Sequence, residues 1–206
     1  MKSQLKNALH DNQLQLTDEK IDKLIRYLEL IRSWNRVFNL TSITDPREMI
    51  YLHLIDSLQV APYLQGQHYL DVGSGAGLPG IPLAILNPQH TWVLVDKNSK
   101  KTRFLTQVIA ELALPQVKAI HSRSEDFAPS QGFDSILSRA FGTLKELVDT
   151  TTHLLAPNGQ ILAMKGKVPK EELAALPENI TSEIVRLVVN GWDIERHLII
   201  LKPKRN

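Results

Sequence analysis

The sequence contains no cysteine among its 206 residues. This absence excludes disulfide bonds, thiolate metal ligands and cysteine nucleophiles, and it fits a reducing compartment, so we expect a cytoplasmic protein. No apolar run approaches the ~20 residues that a membrane-spanning helix requires. The first residues also lack the apolar core of a signal peptide. We therefore expect neither membrane association nor secretion.

An excess of charge of one sign is also missing. The chain has 24 Lys and Arg residues against 22 Asp and Glu residues, which gives a net charge of +2. This value is too small for composition alone to indicate a nucleic-acid partner. The hydrophobic fraction of 43% is typical of a globular chain rather than a disordered one. The length suits one domain with a small extension.

The first part of the chain carries a helical pattern. Apolar residues recur at helical spacing from Thr17 to Phe38, and Thr17 is a suitable N-cap residue. The pair Asp45-Pro46 indicates the start of another helix, with the proline in its first turn. We predict a helical extension over residues 1–65 that packs on a core formed by residues 66–206.

After Gly66 the pattern changes to short apolar strands that alternate with helices. Such alternation indicates a parallel sheet with helices on both faces. Asn190-Gly191 separates two apolar runs and predicts a hairpin. We therefore predict an α/β fold, a Rossmann-like doubly wound sheet that is mostly parallel and ends in an antiparallel hairpin. The predicted parallel strands cover 69–72, 92–96, 117–120, 133–137 and 160–164, with helices over 79–86, 99–113 and 144–155.

A glycine-rich loop follows the first predicted strand. Gly75, Gly77 and Gly80 match the G-x-G-x-x-G pattern, which by itself is weak evidence for a dinucleotide. Gly73, Gly75 and Gly77 also form G-x-G-x-G behind an acidic residue, which is typical of S-adenosylmethionine methyltransferases. Asp71 is that acid, and its carboxylate would repel a pyrophosphate but attract a cationic sulfonium and ammonium. The loop therefore favours S-adenosylmethionine over a dinucleotide.

Acidic residues also follow the next two predicted strands. Asp96 ends the second strand, where a carboxylate can accept hydrogen bonds from ribose hydroxyls in either class of cofactor site. Ser124, Glu125 and Asp126 follow the third strand, which in methyltransferases supplies a backbone amide and a carboxylate to adenine. Acidic residues thus follow each of the first three predicted strands at the same edge of the sheet, and this arrangement predicts a cofactor cleft. A ligand-free turn at the glycines and solvated acids in the third loop are the alternatives.

With these residues in place, the sequence resembles the ribosomal RNA small subunit methyltransferase G family, also called glucose-inhibited division protein B. The resemblance covers nearly the whole chain. The glycine motif alone indicates only the superfamily, whereas the other strings are more specific. The strings that carry the resemblance are Asn39-Leu40-Thr41-Ser42-Ile43, His53-Leu54-Ile55-Asp56-Ser57-Leu58, Asp71 to Pro82, Ser138-Arg139-Ala140, Lys165-Gly166 and Arg196-His197-Leu198.

The resemblance implies a class I S-adenosylmethionine-dependent methyltransferase. It further implies methylation of guanine N7 in 16S ribosomal RNA, at guanine 527 of the 530 loop, in the 30S subunit or an assembly intermediate. It places cofactor contacts at Gly73, Leu78, Ser124, Glu125 and Arg139. The loop and the strand-end acids indicate Gly73 and Glu125 independently, whereas Leu78, Ser124 and Arg139 come from the resemblance.

The residues themselves also bear on the methyl acceptor. Carbon-5 of a pyrimidine requires a cysteine adduct, which this chain cannot form. Exocyclic amines are usually methylated by enzymes with a [DNS]-P-P-[YF] motif, but the corresponding position reads Leu137-Ser138-Arg139-Ala140. Guanine N7 has a free lone pair and no proton, so catalysis can consist mainly of holding it in line with the methyl group. The exclusion of pyrimidine carbon-5 and of exocyclic amines therefore favours guanine N7 as the acceptor. We expect no metal ion in the site.

Two basic residues at strand ends are predicted to form the catalytic site. Arg139 and Lys165 follow the fourth and fifth strands, the edge where doubly wound sheets bind ligands. We expect Arg139 to contact the cofactor or the target base and Lys165 to contact an RNA phosphate. The run from Lys97 to Arg103 either binds phosphates or forms a solvated helix face. His53 and Asp56 can meet at i, i+3, which indicates a structural hydrogen bond rather than a metal site.

Two other functional classes remain open at this point. One is a dinucleotide-dependent oxidoreductase, against which Asp71 and the acids after the third strand argue. The other is a non-catalytic cofactor-sensing RNA-binding module, which would share the cofactor cleft. Binding measurements with the two cofactors separate the first class from a methyltransferase, and a methyl-transfer assay separates the second.

Overall fold

A computed structural model describes residues 1–204 of the chain. It contains a seven-stranded sheet of order β3-β2-β1-β4-β5-β7-β6. Strands β1 to β5 are parallel, and β7 pairs antiparallel with both β5 and β6. The strands are β1 (His68–Val72), β2 (Thr91–Asp96), β3 (Val117–His121), β4 (Phe133–Arg139), β5 (Leu155–Lys165), β6 (Ile180–Leu187) and β7 (Arg196–Pro203). The predicted doubly wound α/β fold is confirmed.

Helices cover both faces of the sheet. The α-helices are α1 (Lys2–Asp11), α2 (Asp18–Phe38), α3 (Pro46–Met49), α4 (Asp56–Leu58), α5 (Gly80–Leu86), α6 (Ser99–Glu111), α7 (Leu144–Thr151) and α8 (Lys170–Ala174). A π-helix, Ile50–Ile55, joins α3 to α4, and 3₁₀ turns cover Ala61–Tyr63 and Thr152–Leu154. No helix within residues 1–204 is long and apolar enough to cross a membrane.

Alternate residues of the strands point to two different apolar clusters. Leu137 and Leu162 pack with α2, α5 and α6 on what we call the first face. Ile136 and Ile161 pack with α7 on the second face. Because side chains alternate along a strand, Asp71 belongs to the first face.

The N-terminal helices have the predicted caps and pack on the first face. The side chain of Thr17 accepts a hydrogen bond from the amide of Lys20, and Asp45 accepts from two amides at the start of α3. Tyr27 of α2 donates a hydrogen bond of 2.6 Å to the carbonyl of Ala76 in the glycine loop. The helices share one apolar cluster with the sheet. The division into residues 1–65 and 66–206 stays a prediction, and residues 205 and 206 lie outside the described part.

The predicted hairpin is confirmed, because β6 and β7 pair antiparallel. Strands β6 and β7 end and begin at Leu187 and Arg196, so Asn190-Gly191 lies inside a longer loop. Asn12 accepts a hydrogen bond of 2.8 Å from the amide of Asn190 and donates one of 2.9 Å to its carbonyl. The segment around Asn12 therefore holds the connection in place.

One predicted helix boundary is also corrected. The sequence predicts a helix over residues 144–155, but α7 ends at Thr151 and a 3₁₀ turn follows. Leu155 instead begins β5, where it pairs with Phe133 of β4. Strand pairing therefore ends the helix earlier than the local apolar pattern indicates.

Candidate cofactor cleft and acceptor side

A cleft of about 650 Å³ opens at the carboxyl edge of the parallel strands. This volume falls within the range of small-molecule and cofactor pockets. The structure brings together four of the residues predicted to bind the cofactor, which line the cleft: Gly73, Asp96, Ser124 and Glu125. Of the remaining predicted residues, Asp71, Gly75, Gly77, Leu78 and Arg139 lie outside its lining.

The glycine loop requires glycine for two separate reasons. Gly73, Gly75 and Gly77 have φ angles of +64°, +59° and +89°, in the left-handed region that other residues rarely adopt. A Cβ atom at Gly77 would also lie 2.6 Å from Ile81 and 2.9 Å from Leu105. A Cβ atom at Gly75 would lie 3.8 Å from its nearest neighbour, the carbonyl oxygen of Gly73. A Cβ atom at Gly77 would therefore clash with its neighbours, whereas one at Gly75 would make only ordinary van der Waals contacts.

Asp71 lies beneath the loop rather than in the cleft. Its side chain is fully buried, and Oδ2 accepts a hydrogen bond of 2.9 Å from the amide of Gly80. Burial raises the pKa of Asp71 to about 7, while the Gly80 hydrogen bond and the charge of Arg139 oppose the shift. Oδ1 has no partner among residues 1–204. A buried carboxylate oxygen without a donor fits a cationic group such as the ammonium of S-adenosylmethionine.

Asp96 holds the cleft in shape. The carboxylate is 5% exposed and accepts hydrogen bonds of 2.8 Å from the amides of Gly75 and Asn98. It therefore joins the glycine loop to the start of α6. Each carboxylate oxygen can accept more than one hydrogen bond, so these contacts are compatible with the predicted bonds to ribose hydroxyls.

Ser124 and Glu125 form the rim of the cleft after β3. The hydroxyl of Ser124 donates a hydrogen bond of 2.9 Å to Oε2 of Glu125. The backbone amide of Glu125 and this hydroxyl lower the pKa of the Glu125 carboxyl. The carboxylate is thus ionised at neutral pH and can accept a hydrogen bond from an adenine amine.

The sequence did not single out one aromatic residue of the cleft. Phe141 lines it, and its ring lies 3.2 Å from where a Cβ atom of Gly73 would be. Its position directly after the Ser138-Arg139-Ala140 string is the sequence signal that could have identified it.

Arg139 lies beside the cleft and forms a pair with a second arginine. Its Nη1 donates a hydrogen bond of 2.9 Å to the carbonyl of Leu52 and lies 3.6 Å from Oδ2 of Asp56. Nε of Arg196 donates a hydrogen bond of 3.1 Å to the other oxygen of Asp56. The Asp56 side chain is 2% exposed, against 24% and 27% for the two arginines. We call Arg139 and Arg196 the arginine pair. Its two positive charges share one carboxylate, that of Asp56.

Burial controls the other groups around the arginine pair. It raises the pKa of Asp56, and the charges of the two arginines oppose that shift. Burial, aided by the charge of Arg139, lowers the pKa of His53 to about 4. His53 is therefore neutral at pH 7.

The predicted hydrogen bond between His53 and Asp56 is not present. His53 Nε2 instead lies 3.1 Å from Oγ1 of Thr41, and its Nδ1 has no partner within the described chain. The reason is the π-helix Ile50–Ile55, whose wider turn moves residues three apart out of the alignment that an α-helix gives them. Across residues 1–204, no group of three or more His, Cys, Asp or Glu could hold a metal ion.

The structure does not bring Lys165 together with Arg139. Nζ of Lys165 forms an ion pair of 2.9 Å with Glu172 and donates to the carbonyl of Gly142. Its side chain belongs to the second face, whereas Arg139 belongs to the first. A phosphate would have to compete with Glu172 for Lys165, so the predicted RNA contact stays a prediction.

Leu78 also differs from its predicted place. It is 4% exposed and packs in the apolar cluster below the glycine loop. The cofactor contact that the resemblance implies stays a prediction for this residue.

Comparison with known proteins decides the family. The sequence profile described as rRNA small subunit methyltransferase G matches residues 20–199. The chain belongs to this family. Proteins named "Ribosomal RNA small subunit methyltransferase G" from Escherichia fergusonii and Photobacterium profundum are 43% and 42% identical to it. Both alignments cover 206 residues, which is all of this chain and all of each relative.

Solved structures show the same fold at low sequence identity. The plantazolicin methyltransferase BpumL, in complex with SAH, gives a TM-score of 0.61 at 15% identity and covers 91% of this chain and 98% of its own. A SAM-dependent methyltransferase from Thiobacillus denitrificans, in complex with S-adenosyl-L-homocysteine, gives 0.55 at 16%, covering 87% and 98%. These structures show that the chain has the class I S-adenosylmethionine-dependent methyltransferase fold, and its family shows that it is a methyltransferase.

Proposed function

We propose that the chain transfers the methyl group of S-adenosylmethionine to N7 of a guanine in 16S ribosomal RNA. Guanine 527 of the 530 loop is the position that the family resemblance implies. The N7 lone pair attacks the methyl carbon, and the carbon–sulfur bond breaks with its electrons moving to sulfur. The sulfonium becomes a neutral thioether and the guanine ring gains the positive charge. No proton is transferred in this step.

The side chains beside the cleft support an acceptor that needs no general base. Arginine stays protonated in proteins, so neither member of the arginine pair can remove a proton. Asp56 is engaged by both arginines and buried, and His53 is 1% exposed. Guanine N7 carries no proton, whereas an exocyclic amine must lose one. None of His53, Asp56, Arg139 and Arg196 can thus act as an accessible base beside the cleft, and this is the observation that favours N7.

The proposed division of labour follows the geometry. The glycine loop, Asp96 and Glu125 would hold the cofactor, with Asp71 facing its ammonium group. Arg139 would contact O6 of the guanine, because a guanidinium on N7 itself would block the reacting lone pair. Its fixed hydrogen bond to Leu52 holds the guanidinium in place before substrate binds.

We further propose that the partner is the 30S subunit or an assembly intermediate, and that the protein acts in the cytoplasm. The support is the substrate itself, because 16S ribosomal RNA is found in these particles. The absence of cysteine agrees with a reducing compartment.

A transfer assay tests the proposal. Purified protein, tritiated S-adenosylmethionine and 30S subunits that lack the modification should give label in 16S ribosomal RNA as N7-methylguanosine. Binding of the cofactor without any label in RNA would favour the cofactor-sensing RNA-binding module instead.

Calorimetric titration addresses the oxidoreductase alternative. We expect S-adenosylhomocysteine to bind and NADH not to bind, because the carboxylate of Asp96 at the glycine loop would repel a pyrophosphate. Tight binding of NADH without binding of S-adenosylhomocysteine would reject the methyltransferase assignment.

A further inference from the structure

The line of contact between α2 and α6, which we call the seam, runs antiparallel. Nη2 of Arg26 lies 3.2 Å from Oε2 of Glu111, and the rings of Trp34 and Phe104 are 5.6 Å apart. As α2 advances from residue 26 to 34, its contacts on α6 therefore run back from 111 to 104. The seam consists of an ion pair at one end and an aromatic contact in the middle.

The other end of the seam is open. Helical spacing places Val37 and Lys100 next along it, because each lies three or four residues beyond the aromatic contact. Val37 is 72% exposed, which is the highest value among the exposed large apolar residues of the described chain. Lys100 is exposed as well, and so is Arg103 one turn along. Apolar and basic groups thus face solvent where the seam would otherwise be closed.

The two ends of the seam also differ in how their charges are paired. Arg26 pairs with both Glu29 and Glu111 at the closed end. At the open end, Lys100 and Arg103 have no ion-pair partner anywhere in residues 1–204. Basic side chains are therefore paired with acidic ones only at the closed end of the seam.

Stability does not account for this arrangement. Positive charges in the first turns of a helix oppose its dipole and are unfavourable by a few tenths of a kilocalorie each. Helix α6 has no acid in its first turn but has Lys100, Lys101 and then Arg103. Its first turn also borders the cofactor cleft, which Lys97 and Lys101 line. These basic residues thus lower the stability of α6, and no acidic residue compensates for them. Unpaired positive charges next to a cleft are what a binding surface for an anionic partner requires.

We propose that Val37, Lys97, Lys100 and Arg103, here called the basic corner, form a docking surface for a strand of the substrate RNA. The basic side chains contact backbone phosphates, and Val37 packs against a ribose or base. The inference rests on the proposed function. It favours RNA over an acidic protein because a base that reaches the cofactor must carry its flanking phosphates across the rim of the cleft.

The test compares two variants that lose the same charge. Lys100→Ala/Arg103→Ala removes two positive charges from the basic corner without touching residues that line the cleft. Lys118→Ala/Lys204→Ala removes two exposed, unpaired lysines at the opposite, amino edge of the sheet. Binding of deproteinised 16S ribosomal RNA is measured over a series of salt concentrations, and binding of S-adenosylhomocysteine is measured by calorimetry.

The expected result is a change in salt dependence that only the corner variant shows. The slope of log K against log salt is negative, and each lost phosphate contact makes it less negative by about 0.7–0.9, so the slope of the corner variant should be shallower by about 1.4–1.8. Its RNA affinity at low salt should fall about tenfold or more. Its affinity for S-adenosylhomocysteine should equal that of the wild type, and the control variant should match the wild type in both measurements.

A second pair of variants tests the apolar part. Val37→Glu should weaken RNA binding, because it places a negative charge among the phosphates. Val188→Glu, at a residue that is 56% exposed beyond β6, should have no effect. Both residues are exposed, so loss of folding does not obscure the comparison.

Three outcomes would overturn the inference. In the first, the corner variant keeps the salt slope of the wild type, while the wild-type enzyme methylates the RNA. This result would reject the docking surface but leave the proposed function intact. In the second, the corner variant binds 30S subunits more weakly but binds deproteinised RNA as the wild type does. This result would mean that the basic corner contacts a ribosomal protein instead of RNA. If the wild-type protein itself puts no label into ribosomal RNA, the proposed function and the inference fall together.

Discussion

The carboxyl edge of the sheet has two polar layers that differ in burial. The buried layer lies between the N-terminal helices and the first face, and it contains His53, Asp56, Asp71, Arg139 and Arg196. The open layer surrounds the cofactor cleft, and it contains Lys97, Lys100, Arg103 and Glu125. The two layers lie on neighbouring strands and loops but respond to different physical variables.

Burial sets the charge state in one layer, and solvent sets it in the other. The pKa of Asp71 is raised to about 7 and that of His53 is lowered to about 4, in both cases chiefly by desolvation. In the open layer, hydrogen bonds keep the pKa of Glu125 low. We therefore expect pH and substitutions that change folding to act on the buried layer, whereas salt acts on the open layer.

The largest expected effect on catalysis belongs to Arg139. Arg139→Ala should lower kcat/KM for methyl transfer by about 100-fold or more, because it removes a pre-positioned donor at the reacting base. The fold should persist, since Asp56 keeps its hydrogen bond to Arg196. Tritium transfer and thermal unfolding measure the two effects. Arg186→Ala, an exposed arginine on β6, is the control, and normal turnover by a folded Arg139→Ala protein would refute the role.

The next effect is on stability. Asp56→Asn should lower the free energy of unfolding by about 2 kcal/mol or more, since it leaves two arginines without their shared carboxylate. The value stays below that of a fully buried pair because the arginine side chains are about a quarter exposed. Asp149→Asn breaks only an exposed pair with Lys145 and should cost at most about 0.5 kcal/mol. Urea denaturation measures both variants, and equal losses would contradict the distinction between the layers.

The pH dependence of stability gives a signed prediction for Asp71. Its carboxyl is protonated in the folded chain up to about pH 7 but ionised in the unfolded chain above its ordinary value of 3.8. The native state then binds more protons in this window, so stability falls as pH rises through it, on the order of 4 kcal/mol in total. Asp71→Asn should lack this loss, so its stability relative to the wild type should increase between pH 4 and pH 7. A difference that is constant with pH would show that Asp71 is not desolvated.

The same residue predicts a pH effect on cofactor binding. Ionised Asp71 attracts an ammonium group, so the affinity of the wild type for S-adenosylhomocysteine should rise as pH increases through about 7, with release of a proton. Asp71→Asn should bind weakly and without this rise. Calorimetry in two buffers of different ionisation enthalpy detects the proton. Equal affinities of the two proteins at pH 8 would exclude Asp71 from cofactor binding.

The smallest predicted difference lies within the glycine loop. Gly75→Ala should cost about 1 kcal/mol of stability for its left-handed backbone. Gly77→Ala should cost more, because its Cβ atom would also overlap Ile81 and Leu105. Thermal unfolding of the two variants provides the comparison, and an equal shift in both would mean that packing below the loop does not matter.

Local signals in the sequence predicted most of the fold. The caps at Thr17 and Asp45 and the alternation of strands with helices depend on neighbouring residues, so they can be recognised from the sequence. The connection near Asn190 depends on Asn12, which is 178 positions away in the chain. The hairpin itself was predicted correctly, but no local pattern carries the contact that holds its connection.

The candidate site divides in the same way. Gly73, Asp96 and Glu125 were predicted to meet because the carboxyl ends of parallel strands share one edge. The arginine pair could not be derived, because it joins α4, β4 and β7 through Asp56 behind a π-helix. The deep burial of Asp71 was also not predictable, since it depends on how the glycine loop packs above it.

One measurement tests the central claim most directly, the mapping of N7-methylguanosine in 16S ribosomal RNA from cells with and without this protein. We predict a single such nucleoside that disappears when the protein is lost. The wild-type protein should restore it, and Arg139→Ala should not. A nucleoside pattern that does not change, or a missing methyl group on a base amine or carbon, would contradict the account.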